Sequence, residues 1–188
     1  VDTHVDVPYR RLRNPADVSQ RVESGDFDYP RAVAGGLNAP FMSIYTAAEL
    51  EAEGGSRELA DKLIDLVESY VEQWPDKFAI AVSVDDVRRH FDAGLISLPL
   101  GMENGSPIDG DLSRLEHFYD RGIRYVTLAH GLSNHISDSS YDENRQWNGL
   151  SEFGREVVAE MNRLGIMIDV SHISDEAFWQ VMDLSAVP

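Results

Sequence analysis

The stretch GLSEFGREVVAEMNRLGIMIDVSHISD, residues 149–175, decides the fold. Its first part places apolar side chains at helical spacing over Ser151–Leu164 and is followed by a glycine, which is typical of a helix C-terminus. The short apolar run Ile166–Val170 then predicts a buried strand that leads to His172. Ser174 predicts the N-terminus of the next helix. A helix, a strand and a helix in direct succession indicate one step of an alternating α/β fold.

The same alternation extends back to the start of the chain. Further strands are predicted at Val1–Asp6, Leu37–Tyr45, Phe78–Val82, Ile96–Met102 and Arg124–Ala129. Further helices are predicted at Glu58–Gln73, from Val84 to about Ala93, and at Asp111–Arg121. Residues 7–30 contain three prolines and are predicted to be irregular. Residues 131–149 are polar and form a loop that is long enough to be functional.

Ser83 and Asp86 have the spacing of a capping box and predict the start of the helix at Val84.

These elements predict an α/β fold that corresponds to the N-terminal part of a (β/α)8 TIM-type barrel. About five barrel strands are present, together with an extra short strand at Phe78–Val82. Because a full barrel has eight strands and about 250 residues, we expect residues 1–188 to form a single incomplete domain without its C-terminal strands. Open sheet edges would make the isolated chain poorly stable or prone to self-association.

Composition excludes several classes of function. The chain has 33 acidic and 16 basic residues, for a net charge of −17, which disfavours binding to nucleic acid and to anionic membranes. It has no cysteine, which excludes disulfides, thiolate nucleophiles and Cys-type zinc sites. Any metal site must therefore consist of His, Asp and Glu. Neither a signal peptide nor an apolar run of about 20 residues is expected.

Side chains that can bind metal follow four of the predicted barrel strands. They are His4 and Asp6, Glu103, His130 and His172. In a (β/α)8 barrel the carboxyl ends of all strands lie on one face, and that face holds the active site. We therefore expect these five side chains to share one site.

Each of these residues also has a structural interpretation when it is considered alone. His4 and Asp6 point to the same side of a strand, but such pairs are commonly surface pairs. Glu103 can be interpreted either as an acidic turn residue or as a carboxylate that bridges two cations. His130 ends a strand or donates a hydrogen bond to an oxyanion. His172 is a loop histidine or a metal ligand through a neutral ring nitrogen.

Three further histidines are less informative. His90 and His117 lie within predicted helices and are interpreted as structural or surface residues. His135 lies in the polar loop after His130, and a role in lining the site is left open.

Five segments resemble the membrane (renal) dipeptidase family, which comprises zinc peptidases with an amidohydrolase-like TIM barrel. They are Asp2–Asp6 (DTHVD), Gly101–Gly105 (GMENG), Tyr125–His130 (YVTLAH), Gly149–Gly165 and Ile166–Asp175. The segments follow the family's order from Val1 to Pro188. The block over residues 149–175 is the most specific of them, and the H-x-D motif is the least specific.

The resemblance implies a binuclear site with two Zn²⁺ ions. The first zinc would be held by His4 and Asp6, Glu103 would bridge both metals, and the second zinc would take His172. His130 would be the catalytic, substrate-binding residue that contacts the substrate carbonyl. The family's further histidine ligand, its carboxylate-binding arginine and its late catalytic aspartate have no counterpart before Pro188, so the second site is expected to lack one ligand.

The activity implied by the resemblance is that of a metallo-dipeptidase. Two zinc ions about 3.5–4 Å apart lower the pKa of a bridging water towards about 7, and the resulting hydroxide would attack the peptide bond of a dipeptide. The isolated chain is expected to be weakly active or inactive. The expected partners are a dipeptide substrate and a second copy of the chain in a homodimer, and nucleic acid is excluded. Family members are intracellular, exported or membrane-anchored, so the compartment is left unassigned.

Two alternatives remain open. The first is another binuclear amidohydrolase-type enzyme that acts on cyclic amides or esters, although such enzymes usually open with H-x-H where this chain has His4-Val-Asp6. The second is a non-catalytic metal-binding barrel, against which the retained ligand residues argue.

Overall fold

The computed structural model describes residues 1–187, and Pro188, the last residue of the predicted domain, lies outside the described residues. The strands are β1 (Asp2–Val5), β2 (Pro40–Tyr45), β3 (Phe78–Ile80), β4 (Ile96–Leu98), β5 (Leu100–Glu103), β6 (Ile123–Thr127) and β7 (Met167–Asp169). The α-helices are α1 (Val7–Arg13), α2 (Tyr29–Ala34), α3 (Leu50–Glu53), α4 (Ser56–Gln73), α5 (Val84–Asp92), α6 (Ser113–Asp120), α7 (Glu152–Leu164) and α8 (Asp175–Leu184). A short 3-10 helix spans Ser106–Ile108.

Five strands form one sheet in the order β1-β2-β5-β6-β7, while β3 and β4 form a separate two-stranded sheet. The pairs β1–β2, β6–β7 and β3–β4 are parallel. Successive strands of the large sheet thus lie side by side in chain order, as in the first strands of a (β/α)8 barrel. The five-stranded sheet agrees with the predicted number of barrel strands.

The chain divides into two compact units. The first comprises Val1–Ile44 and Lys62–Gly101, and the second comprises Tyr45–Asp61 and Met102–Pro188. In the first unit, α4 buries Leu63, Ile64 and Val67 completely, as its apolar periodicity predicts. In the second unit, α7 buries Val157, Val158 and Met161.

The prediction that residues 7–30 are irregular holds for residues 14–28 but was wrong at both ends, because helices begin there despite the prolines. Pro8 lies in the first turn of α1, where a missing backbone N–H breaks no intrahelical hydrogen bond. Pro30 lies in the first turn of α2 in the same way. Asp28 caps α2 by accepting a hydrogen bond from the Arg31 backbone N–H at 2.8 Å. The helix α3 was also not predicted.

The predicted strand Ile96–Met102 is divided into β4 and β5 at Pro99. Proline has no N–H to donate to a strand ladder and therefore favours an interruption at this position. Its carbonyl oxygen still accepts a hydrogen bond from the Met42 N–H of β2 at 2.8 Å. The single predicted strand therefore contributes β4 to the two-stranded sheet and β5 to the five-stranded sheet.

The predicted helix starts at Ser83, Ser151 and Ser174 are confirmed. Each serine side chain accepts a hydrogen bond from the backbone N–H three residues further on. At the other end of α7, the predicted Gly165 is the C-cap residue in the left-handed conformation with φ 77°.

The start of α5 leads to a pH-dependent prediction. Hydrogen bonds from the Ser83 hydroxyl, the Val82 backbone N–H and the Arg89 side chain lower the pKa of Asp86 to about 2. The ordinary carboxyl pKa of the unfolded chain is about 3.9. Asp86 therefore contributes stability that is complete above about pH 4 and is lost as the pH falls through about 2.

We expect Asp86→Ala to lower the free energy of unfolding at pH 7 by about 1 kcal/mol, a typical value for a lost helix cap. The difference between wild type and variant should shrink as the pH falls from about 4 to about 2. Urea titrations at several pH values measure it, and Asp85→Ala is the matched control because Asp85 forms only an exposed ion pair with Arg88. A difference that stays constant over this pH range would contradict the prediction.

Candidate metal centre

Three predicted site residues lie together in the second unit. Glu103 is the last residue of β5, His130 lies three residues after β6, and His172 lies three residues after β7. Because neighbouring parallel strands end at the same edge of a sheet, these three side chains come close to one another. The chain order of the strands thus assembles residues that are far apart in sequence.

The geometry of this cluster suits a metal ion. Glu103 Oε1 lies 3.4 Å from His130 Nε2 and 3.6 Å from His172 Nε2. Zinc bonds of about 2.0–2.2 Å in tetrahedral geometry separate two ligand atoms by roughly 3.4 Å. Glu103 is buried with 7% of its surface exposed, while both histidines are partly exposed. A carboxylate and two imidazoles at this spacing form a donor set that fits zinc.

His4 and Asp6 lie together in the first unit. His4 Nε2 is 3.4 Å from Asp6 Oδ1, so this pair also has the spacing of two ligands on one metal. Both side chains are partly or largely exposed, which leaves them accessible to an ion. Asp2 has a structural role, because its Oδ1 accepts a hydrogen bond from the His4 backbone N–H at 3.1 Å.

Two tyrosines that the sequence did not single out extend the cluster. The rings follow one another in the order Tyr45, His130, His172 and Tyr141, with centroid distances of 5.1, 4.5 and 5.8 Å. Tyr45 is the last residue of β2, and its position at the end of a predicted strand could have identified it as a site residue from the sequence. Tyr141 lies in the polar loop and is 69% exposed, so no apolar periodicity marked it.

A buried polar network follows Glu103. Asn104 has a left-handed backbone with φ 81°, and its Nδ2 donates to the Thr46 carbonyl oxygen at 3.0 Å. Its Oδ1 accepts from Ser106 and from Asn134 Nδ2 at 3.0–3.3 Å. Asn134 Nδ2 also donates to the Leu128 carbonyl oxygen at 2.8 Å. This network fixes the backbone next to Glu103, and the residue types alone did not reveal it.

The three remaining histidines have carboxylate or hydroxyl partners. His90 Nδ1 lies 3.0 Å from Ser97 Oγ, and His117 Nε2 lies 2.9 Å from Asp61 Oδ1, in agreement with their predicted structural roles. His135 Nδ1 lies 2.7 Å from Glu51 Oε1. Burial would raise the pKa of Glu51, but hydrogen bonds and charge from His135 outweigh it and lower that pKa.

Among residues 1–187, no helix is both long enough and apolar enough to cross a lipid bilayer.

Comparison with known proteins identifies a family over the whole sequence. The profile of the membrane dipeptidase family, peptidase family M19, matches residues 1–188. A curated relative, dipeptidase tcpJ of Claviceps purpurea, is 34% identical over 88% of this chain and 40% of its own length. The chain thus spans less than half the length of this relative.

Two solved structures share the fold. The probable dipeptidase PvdM from Pseudomonas aeruginosa has a TM-score of 0.90 and 27% identity, covering 100% of this chain and 50% of its own. A metallo peptidase from Rhodobacter sphaeroides, liganded with a phosphinate mimic of the dipeptide L-Ala-D-Ala, has a TM-score of 0.86 and 27% identity, covering 100% of this chain and 62% of its own. The predicted barrel-type fold is thereby confirmed, and the chain belongs to the membrane dipeptidase family, peptidase family M19.

Proposed function

We propose that this chain carries the metal centre of a zinc-dependent dipeptidase. The observation that supports this most strongly is the spacing of Glu103 Oε1 and His172 Nε2, which is close to that of two ligands on one zinc ion, with His130 beside them. Family membership supports a metallo-dipeptidase rather than an unrelated metal protein. The absence of cysteine from the sequence agrees with a mechanism that needs no thiol nucleophile.

The proposed ligand assignment places one carboxylate between two zinc ions. His4 and Asp6 would hold the first zinc, His172 would hold the second, and Glu103 would bridge both. Family membership supports this assignment. The donor spacing within the His4–Asp6 pair and within the Glu103–His172 pair agrees with it.

The chemistry then divides between the metal and the protein. Bound zinc would supply a nucleophilic water at neutral pH and polarise the scissile carbonyl. His130 would donate a hydrogen bond from Nε2 to the substrate carbonyl oxygen as negative charge develops there. Its ring packs between Tyr45 and His172, which restricts its orientation. Glu103 lies within 3.4–3.6 Å of both histidines and would orient them.

Dipeptides, including those with a D-residue at the C-terminal position, are the proposed substrates. The Rhodobacter sphaeroides structure supports this class, since its ligand mimics a dipeptide with C-terminal D-alanine. The exposed ring of Tyr141 beside His172 offers an apolar surface to a small substrate side chain.

The proposal is tested by metal analysis and by hydrolysis of a substrate panel. Because residues 1–188 alone are expected to be weakly active or inactive, the test uses the protein with a complete eight-stranded barrel. That protein should bind zinc and cleave Ala-Ala-type dipeptides, and a chelator should remove the activity until zinc is restored. Hydantoin and lactone substrates serve as the comparison panel. Cleavage of these without dipeptide cleavage would favour the cyclic-amide alternative, and zinc binding without cleavage of any substrate would favour the non-catalytic metal-binding barrel.

A further inference from the structure

The backbone of His172 has a conformation that side chains rarely adopt. Its φ of 68° lies in the left-handed region, which is uncommon for residues other than glycine and asparagine. Such a conformation persists only where the surroundings hold it, and it is frequent at functional sites. The structure must therefore contain groups that hold this histidine in place.

The carbonyl of His172 is held by the loop that follows His130. The backbone N–H of Ser140 donates to the His172 carbonyl oxygen at 2.8 Å, and the Ser140 hydroxyl donates to the same oxygen at 3.0 Å. The Ser139 hydroxyl contacts it at 3.4 Å, and Ser139 forms a β-bridge with Ile173. Two donors from Ser140 thus converge on one oxygen, and the Ser139 hydroxyl lies close to the same oxygen.

The residue just before these two is a completely buried carboxylate. Asp138 has no exposed surface, and its Oδ1 accepts from the backbone N–H of Gln146 at 2.7 Å. Its Oδ2 accepts from the N–H groups of Trp147 and Gly149 at 3.1 and 3.0 Å. Burying a carboxylate without hydrogen-bond partners costs free energy, and these bonds supply the partners. They also fix the backbone of residues 146–149, at the end of the loop.

The main chain of Asp138 is anchored on the other side of His172. Its carbonyl oxygen accepts a hydrogen bond from the Ser174 N–H at 2.9 Å, and Ser174 caps α8. The segment Asp138–Ser140 therefore lies along residues 172–174 and bonds to both ends of that segment. The same segment reaches His130, because the Ser139 hydroxyl donates to the His130 carbonyl oxygen.

We propose that Asp138 is a positioning residue that holds the His172 backbone, and with it the imidazole, in the orientation for metal binding. The inference rests on the proposed function, since that function gives His172 its metal. Asp138 touches neither metal nor substrate. It acts through Ser139 and Ser140, which it places against the His172 carbonyl.

The test compares Asp138→Asn with Asp142→Asn in the full chain. The amide has one acceptor oxygen and would turn donors towards backbone N–H groups, so several bonds are lost. Asp142 is the matched control because it lies in the same loop and accepts from the Ser133 and Asn144 N–H groups at 2.8–2.9 Å, and neither bond involves residues 172–174.

The first measurement is amide hydrogen exchange in the metal-free protein. Asp138→Asn should speed exchange of the Ser140 and Ser174 amides, and Asp142→Asn should leave them unchanged. This result supports the positioning role even if the chain binds no zinc, a case in which only the proposed function fails. Unchanged exchange in Asp138→Asn overturns the inference.

The second measurement is titration with Co²⁺, followed by its visible absorption. Asp138→Asn should weaken the second of the two binding steps by about 10–100-fold, the usual effect of losing a group that orients a ligand. If each of the two steps has the same Co²⁺ affinity in Asp138→Asn as in the wild type, the inference is overturned. If Asp138→Asn fails to fold by circular dichroism, Ser140→Ala takes its place, since it removes only a hydroxyl that donates to His172, and should weaken the same step.

Discussion

Replacing Glu103 by glutamine is expected to weaken zinc binding by more than about 100-fold. Loss of a group that merely orients a ligand costs about 10–100-fold in metal affinity, and Glu103 is proposed as a direct ligand of both ions. Its Oε1 is the atom that lies 3.4–3.6 Å from both His130 and His172. Glutamine keeps the shape of the side chain but removes its charge and leaves one acceptor oxygen.

Competition with a chromophoric chelator measures the affinity, and elemental analysis measures the number of bound ions. The matched control is Glu51→Gln, in which a partly buried carboxylate that bonds to His135 loses the same charge. This control should bind zinc as the wild type does. If Glu103→Gln binds zinc with the affinity of the wild type, Glu103 is not a zinc ligand.

Replacing Gly154 by alanine is expected to destabilise the protein by about 3 kcal/mol or more. A Cβ atom at this buried position would lie 2.1 Å from the Ile136 carbonyl oxygen. That oxygen already accepts a hydrogen bond from the Ser151 N–H at 2.9 Å, at the start of α7. If the Ile136 segment moved away, its hydrogen bond from the Ser151 N–H would break. If the Gly154 segment moved away, its N–H would lose the Ser151 side chain that caps α7. The destabilisation therefore reaches the upper end of overpacking effects.

Urea denaturation measures this difference, which also corresponds to a fall in Tm of about 2–4 °C per kcal/mol for a chain of this size. Gly131→Ala is the control, because a Cβ atom there meets no heavy atom within 4 Å and its φ is not positive. It should change the free energy of unfolding by about 0.5 kcal/mol or less. Similar stabilities for the two variants would show that the close approach at Gly154 is not maintained in solution.

Local sequence signals predicted the helix ends well. Ser83 and Ser174 were identified because a cap depends on residues only three positions apart, and the helix start at Ser151 was identified from apolar periodicity. The same local reasoning failed at Pro8 and Pro30, since proline breaks a helix in its interior but is accepted in its first turn.

The candidate ligands were also predictable, because a histidine or carboxylate at the end of a strand marks the functional face of a barrel. The residues that support them were not. Asn104, Asn134 and Asp138 are polar residues in a polar part of the sequence, and their hydrogen-bond partners are set by the fold. The left-handed backbone of His172 likewise has no counterpart in periodicity or composition.

The agreement between strand order and chain order has a consequence for biosynthesis. In the sheet β1-β2-β5-β6-β7, each strand after β1 pairs with one that has already left the ribosome. The residues between β2 and β5 include the β3–β4 pair, which can form within that interval. Translation from the N-terminus can therefore extend the sheet by one edge strand at a time, and the exposed edge moves along with the nascent chain.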